Sequence, residues 1–150
     1  FDNLDWSLTS PEQLVRDLGV TELPNSELAR LQPAIDHHFI ASDIPAIRRS
    51  LLEEHRSEFK EWALATVTTM DKRSPLAMAV TLELLRRGRQ LSLPECFAME
   101  LHLDRQWFEH GDIVEGVRAL LVDKDKNPRW NPSTIAQLDP ARVNAFFKGL

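Results

Sequence analysis

Helix-start punctuation constrains this chain more than any other feature. Thr9 or Ser10 stands before Pro11, Ser74 before Pro75, Asp139 before Pro140, and Ser92-Leu93-Pro94-Glu95 joins a capping pair to an early proline. A short side-chain oxygen accepts from the free amides of a first helical turn. Proline fits that turn because an N–H there would bond nothing within the helix. Each site therefore predicts a helix start. Between these sites the apolar residues recur at three- and four-residue spacing, as in Leu28, Leu31, Ile35 and Phe39, or Ile44, Ile47 and Leu51. No segment alternates apolar and polar residues long enough for a strand. The expected fold class is all-α.

Taken in order, residues 1–8 show no period and are expected to be extended. A helix with Leu14, Val15 and Leu18 on its inner face then ends at Gly19, and Pro24-Asn25 marks a turn. The next helix begins near Ser26, with Pro33 as a first-turn proline or a kink. Ser42 or Asp43 opens another. The span from Ser57 to Met70 carries Phe59, Trp62, Ala63, Val67 and Met70. Leu76, Ala79, Val80, Leu82, Leu84 and Leu85 predict a broad buried face on the Ser74-Pro75 helix, which Gly88 stops. The Ser92 helix runs to about His110 and buries Phe97, Met99, Leu101, Leu103, Trp107 and Phe108 to varying degrees. A last short helix ends near Phe146 and Phe147.

The stretch HGDIVEGVRALLVDKDKNPRW, His110 to Trp130, holds the strongest pattern. Gly111 suits a left-handed position closing the preceding helix, and Asp112 is placed to cap the next, with Glu115 as its capping-box partner. Ile113, Val117, Leu120 and Leu121 predict one apolar stripe. Gly116 inside a helix costs roughly 1 kcal/mol relative to alanine, so something is expected to pack closely there. Lys124, Lys126 and Arg129 place cations near the helix C-terminus, where the dipole favours them. Trp130, between prolines, reads as a packing anchor, and Arg118 as a structural partner of nearby carboxylates.

This stretch resembles the C-terminal end of 3-hydroxyisobutyryl-CoA hydrolase-like proteins of the enoyl-CoA hydratase/isomerase (crotonase) superfamily. The resemblance rests on His110, Asp112, Glu115 to Ala119, Leu121, Asp123 to Asp125, Pro128, Trp130 and Pro132. Gly111 is an extra residue against the family pattern, and Ile113 replaces its usual aromatic. Upstream, Ser74-Pro75, Thr81, Leu82, Gly88, Leu91, Leu93 and Glu100 also match, so the resemblance extends from about Ile35 to Phe147. It implies two parts: a helical lead-in over 1–34, for the first thirty residues of which no match is found, and a compact multi-helix C-terminal domain over 35–150.

The resemblance also implies acyl-CoA thioester hydrolysis by the intact protein, on a short branched 3-hydroxyacyl group as in valine breakdown. The family's catalytic Glu and Asp, and the amides of its oxyanion hole, belong to a β/α core with glycine-rich loops that is absent from this chain. No residue here is therefore expected to be catalytic, and Glu95 and Glu115 are accounted for as capping-box partners. The helices would cover the acyl-CoA pocket or pack on a neighbouring subunit. Lys124, Lys126 and Arg129 are the candidates for contact with the CoA phosphates, with a solvated helix end as the alternative. Coenzyme A would be part of the substrate, and no separate cofactor is expected. The implied partners are the missing core and acyl-CoA, with a homo-oligomer left open. The alternatives are an enoyl-CoA hydratase/isomerase, or a non-catalytic helical assembly module.

Other function classes find no support. Net charge is −5, which argues against a general nucleic-acid binder. No apolar run approaches the roughly 20 residues of a membrane span, and no signal peptide is visible. The single cysteine, Cys96, precludes an internal disulfide and reads as a small core residue. Asp36-His37-His38 suggests a metal site at first sight, but adjacent helical residues point about 100° apart, so a partly exposed polar face is expected and no metal. Nothing resembles a nucleophile elbow or a phosphate loop. The chain opens on Phe1, which points to a piece of a longer polypeptide, bacterial cytoplasmic or, in a eukaryote, of the mitochondrial matrix.

Overall fold

The computed structural model describes residues 5, 7, 10–19 and 26–150. The turn expected at Pro24-Asn25, and most of the extended lead-in, lie outside the described residues. The described residues form helices and no strands: α1 (Pro11–Asp17), α2 (Glu27–Phe39), α3 (Ile44–Leu52), α4 (Ser57–Met70), α5 (Pro75–Gly88), α6 (Leu93–His110), α7 (Ile113–Val117) and α8 (Pro140–Ala145). A π-helical turn at Arg118–Val122 continues α7, and a short 3-10 turn spans Ile135–Gln137. By its contacts the chain divides into two compact units, Phe1–Pro33 and Ala34–Leu150.

In the first unit, the Ser10 hydroxyl caps α1 by accepting from the Gln13 amide at 3.2 Å. The inner face expected there is not built: α1 buries no residue, and Val15 and Leu18 are each 54% exposed. Helix α2 runs across the division between the units. Pro33 sits inside it, well past the first turn.

The second unit is organised around α5. Ser74 caps this helix by accepting from the Ala77 amide at 3.0 Å, with Pro75 in the first turn. At about 100° per residue, positions 76, 80 and 84 face nearly opposite to 78, 79 and 82. Leu76 and Val80 enter a cluster with Met99 and Leu103 of α6 and with Phe146 and Phe147, and Leu84 packs against it. On the other side, Met78, Ala79 and Leu82 pack on a cluster of Ile44, Ile47 and Leu51 of α3 with Ala63, Val67 and Met70 of α4. Leu85, expected on the buried face, falls between these two sectors and is 59% exposed.

The partly exposed polar face expected at His37-His38 holds at His37 and not at His38. His37 is exposed, but His38 is almost fully buried. Its Nδ1 lies 2.7 Å from the Ser50 hydroxyl and its Nε2 2.9 Å from Glu54. Glu54, also buried, accepts from Arg56 through Nε at 3.0 Å, Nη2 at 2.5 Å and the backbone amide at 2.8 Å. The Arg56 side chain is the main reason the Glu54 carboxyl stays ionised well below the usual carboxylate range, against the penalty of burial. Polar groups enter an apolar interior when they bring their partners with them. Replacing Glu54 by alanine leaves the buried His38 Nε2 without its partner, while half-exposed Arg56 turns to water, and is expected to cost about 1–3 kcal/mol of stability in urea unfolding.

Candidate functional site

The segment from Gly111 to Pro132 is folded as a strapped loop, and its anchors differ from those local rules suggest. Gly111 is extended rather than left-handed, at φ −101° and ψ −174°. Its role is close approach: a Cβ there would lie 2.3 Å from the Trp107 ring and 2.9 Å from the Trp107 carbonyl oxygen. Asp112 makes no side-chain cap on α7. Its carboxylate instead accepts from the Ser74 hydroxyl at 2.5 Å and from the Asn131 amide at 3.1 Å. Buried Asp112 thus ties the start of α5 to the end of the loop.

Arg118 is the hub of the loop, as a structural partner of carboxylates. It forms a fork with Glu115, Nε to Oε2 at 2.8 Å and Nη2 to Oε1 at 2.7 Å. Its Nη1 donates to Asp123 at 2.6 Å and to Asp125 at 2.8 Å. Three carboxylates around one guanidinium hold it charged far above any ordinary pH. Glu115 also accepts from the Arg129 amide at 2.6 Å, so it serves the loop and not a capping box. The Arg118 fork, followed by the Arg129 amide, lowers the Glu115 carboxyl from 4.5 to about 2.

Trp130 closes the strap. Its indole Nε1 donates to the Lys72 carbonyl at 3.0 Å, and its ring lies 3.3 Å from where a Cβ on Gly116 would stand. The close packing expected at Gly116 is this contact. Lys124 and Lys126 both adopt left-handed backbone, φ 57° and 53°, a conformation that costs a non-glycine residue roughly 1–2 kcal/mol. The loop's hydrogen bonds hold them there, including the Lys126 amide to the Ala119 carbonyl at 3.0 Å. Lys124, Lys126 and Arg129 are exposed, and among the described residues none of their side chains has an ion pair or hydrogen-bond partner.

The apolar stripe expected inward on this segment faces out. Ile113 and Val117 are 38% and 44% exposed, Leu120 and Leu121 62% and 63%. Phe108, Ile113, Val114, Val117 and Val122, with Arg118, line an open apolar trough of about 250 Å3. Helix α6 continues this surface. Met99 and Leu103 are buried, whereas Leu93, Phe97, Leu101 and Phe108, spread over about 80° of the opposite side, are 58% to 69% exposed.

Elsewhere, Ser50, His38 and Glu54 form a chain that looks like a nucleophile relay. Ser50 lies within α3, where neighbouring amides are spent on the helix, so no oxyanion donors face its hydroxyl. Among the described residues no three His, Cys, Asp or Glu side chains converge as metal ligands, and no helix is long and apolar enough to cross a membrane. Cys96 is partly buried with its thiol 3.8 Å from the Gly88 carbonyl.

The sequence profile of the enoyl-CoA hydratase/isomerase family matches residues 2–147. The chain belongs to that family. It is 46% identical over 94 residues to the mitochondrial 3-hydroxyisobutyryl-CoA hydrolase of Dictyostelium discoideum, an overlap covering 62% of this chain and 25% of that protein. It is 35% identical over 117 residues to the corresponding enzyme of Danio rerio, covering 78% of this chain and 30% of the relative. Among solved structures, it is similar to a carnitinyl-CoA dehydratase from Mycobacterium thermoresistibile, with TM-score 0.80, 30% identity, and coverage of 92% of this chain and 38% of the other. An enoyl-CoA hydratase from Rhodobacter sphaeroides aligns with TM-score 0.77 at 26% identity, over 93% and 42%. The chain therefore spans about a quarter to two-fifths of the proteins it matches. The helices, without strands among the described residues, and these matches agree with the helical C-terminal region that the His110–Pro132 pattern implied.

Two outcomes test this geometry. Gly111→Ala is expected to lose about 1–3 kcal/mol, because the Trp107 ring must move. Gly116→Ala is expected to change stability by under about 1 kcal/mol, because the gain in helix propensity offsets a shift of a few tenths of an ångström at Trp130. Urea unfolding of both variants separates the two. The lowered Glu115 carboxyl also has a pH signature. A carboxyl whose folded pKa is depressed stabilises fully above its unfolded value, and that contribution is lost as pH falls from about 4.5 toward about 2. In NMR the Arg129 amide should titrate with a midpoint near 2. In Arg118→Ala the midpoint should rise toward 4.5.

Proposed function

We propose that this chain is the helical part of an acyl-CoA thioester hydrolase of the 3-hydroxyisobutyryl-CoA hydrolase type. In this reading it covers the acyl-CoA pocket of a β/α core, or packs one subunit on another, and has no hydrolase activity alone. The observation that carries the reading is the second, exposed apolar side of α6 running into the α7 trough. A helix apolar on two sides is one that is buried on two sides in its working assembly. The cations follow at once in sequence: Lys124 is two residues beyond Val122, which lines the trough. Lys124, Lys126 and Arg129 are assigned to the phosphates of coenzyme A, which ammonium and guanidinium groups bind well. The rigid loop around Arg118 would hold them in place, limiting the ordering cost of binding. The place of action would be the mitochondrial matrix in a eukaryote, in line with the names of the relatives, or the cytoplasm of a bacterium.

In the full-length protein, replacing Lys124, Lys126 and Arg129 together by alanine is expected to raise KM for 3-hydroxyisobutyryl-CoA at least tenfold. KM for the pantetheine thioester, which lacks the nucleotide phosphates, should stay within about twofold. An unchanged KM for the CoA ester would remove the assignment. Thiol release from acyl-CoA by the 150-residue chain alone would overturn the non-catalytic reading.

A second reading is favoured by the two similar structures, which are a dehydratase and a hydratase. An intact protein that adds water to an enoyl-CoA, seen as loss of the conjugated thioester's ultraviolet absorbance without thiol release, would establish it in place of hydrolysis.

A further inference from the structure

The relay of Ser50, His38 and Glu54 has no part in the family reading, and its hydrogen bonds fix where the protons sit. Glu54 is an ionised carboxylate held by Arg56, so it can only accept. The 2.9 Å contact to His38 Nε2 therefore places a proton on that nitrogen. A neutral imidazole carries one N–H, which leaves Nδ1 bare. The 2.7 Å contact between Nδ1 and Ser50 is then a bond that the hydroxyl donates. A serine hydroxyl aimed at the lone pair of an imidazole, with a carboxylate behind the ring, is the arrangement of an activated nucleophile.

Two features set Ser50 apart from a serine that only fills a helix position. Hydroxyls within helices commonly turn back to the carbonyl four residues earlier, as those of Thr66, Thr68 and Thr69 in α4 do at 2.8 to 3.0 Å. Ser50, inside α3, reaches across to α2 instead. Burial is also graded along the relay. His38 and Glu54 are 1% and 6% exposed, whereas Ser50 is half-buried and reaches the surface. An electrophile arriving from solvent therefore meets the hydroxyl before the imidazole.

We propose that Ser50 is a covalent modification site that takes one small acyl group from an activated acyl donor, with His38 as the base. The donor is a thioester or an aryl ester, whose leaving group departs more readily than an alkoxide. The Ser50 oxygen bonds to the acyl carbon while its proton passes to His38 Nδ1. The bond from that carbon to sulfur or aryl oxygen breaks with its electron pair, and the leaving group takes the proton from Nδ1. Nothing is oxidised or reduced. The product is an alkyl ester, and no amides face it to stabilise the oxyanion of its hydrolysis, so each chain is marked once and not turned over. The proposal rests on this relay alone and stands independently of the acyl-CoA reading.

In the full-length protein, the ring 15N resonances of His38 at about pH 9, above the ordinary histidine range, should show Nε2 protonated and Nδ1 bare. Timed exposure to p-nitrophenyl acetate, read by tandem mass spectrometry, should acetylate Ser50 at least about tenfold faster than Ser42. Ser42 is the internal control, an exposed serine whose hydroxyl donates to Asp43 and not to an imidazole. His38→Gln should bring the two rates within about twofold of each other, with urea unfolding showing that the variant folds. A proton on Nδ1 would overturn the proposal, as would a wild-type Ser50 rate no greater than that of Ser42. A folded His38→Gln that keeps the preference for Ser50 would do the same. If His38→Gln does not fold, the wild-type ratio and the ring tautomer decide.

Discussion

Everything in the larger unit depends on α5 being apolar on two sides. Through Met78, Ala79 and Leu82 it serves the α3–α4 cluster, and through Leu76 and Val80 the α6–α8 cluster. Neither cluster is large, and each uses a wall that the other also needs. Ordering one side of α5 therefore lowers the conformational cost of ordering the other, since the helix backbone is fixed only once. The Ser74 cap at its start has matching weight: the same hydroxyl accepts from the Ala77 amide and donates to Asp112.

The polar interior works by the same economy of shared partners. His38, Ser50, Glu54 and Arg56 join the end of α2 to α3 and to the lead-in of α4, with both imidazole nitrogens engaged. Asp112 joins α5 to the loop after the π-helical turn, and Trp130 returns that loop to the α4–α5 turn. These bonds lock the 118–130 segment without a hydrophobic core of its own. Its apolar side chains are left facing outward, and its lysines are fixed in left-handed backbone. Rigidity combined with outward-facing apolar groups is what a docking element needs, because little ordering entropy remains to be lost on contact.

The chain belongs to the enoyl-CoA hydratase/isomerase family and spans a quarter to two-fifths of its relatives. The residues that kept the family's spacing are largely the ones that build the strap: Asp112, Glu115, Gly116, Arg118, Asp123, Asp125 and Trp130. In this structure they hold one another and Ser74 and Lys72. The pattern that reveals the family is thus mainly a folding pattern, and the cations beside it take no part in it.

The helix starts were legible in the sequence because capping is a matter of one turn. Ser10, Ser74, Ser92 with Glu95, and Asp139 each act within three residues of themselves. Lack of alternation likewise settled that no strand would be seen among the described residues, and the Gly116–Trp130 contact followed from a glycine placed where a helix disfavours one. Which partner a side chain chooses was decided elsewhere. Asp112 was expected to cap α7, but Ser74 lies 38 residues away and Asn131 lies 19 away, and together they outbid the local amides. His38 read as part of a partly exposed polar face because Glu54, 16 residues on, cannot be seen from a helical period. Apolar spacing on α6 and α7 marked faces without telling which would be covered, since a stripe awaiting a partner and a stripe in a core have the same period. Only the tertiary structure separates them, because burial is set by what packs across from a residue and not by what stands beside it.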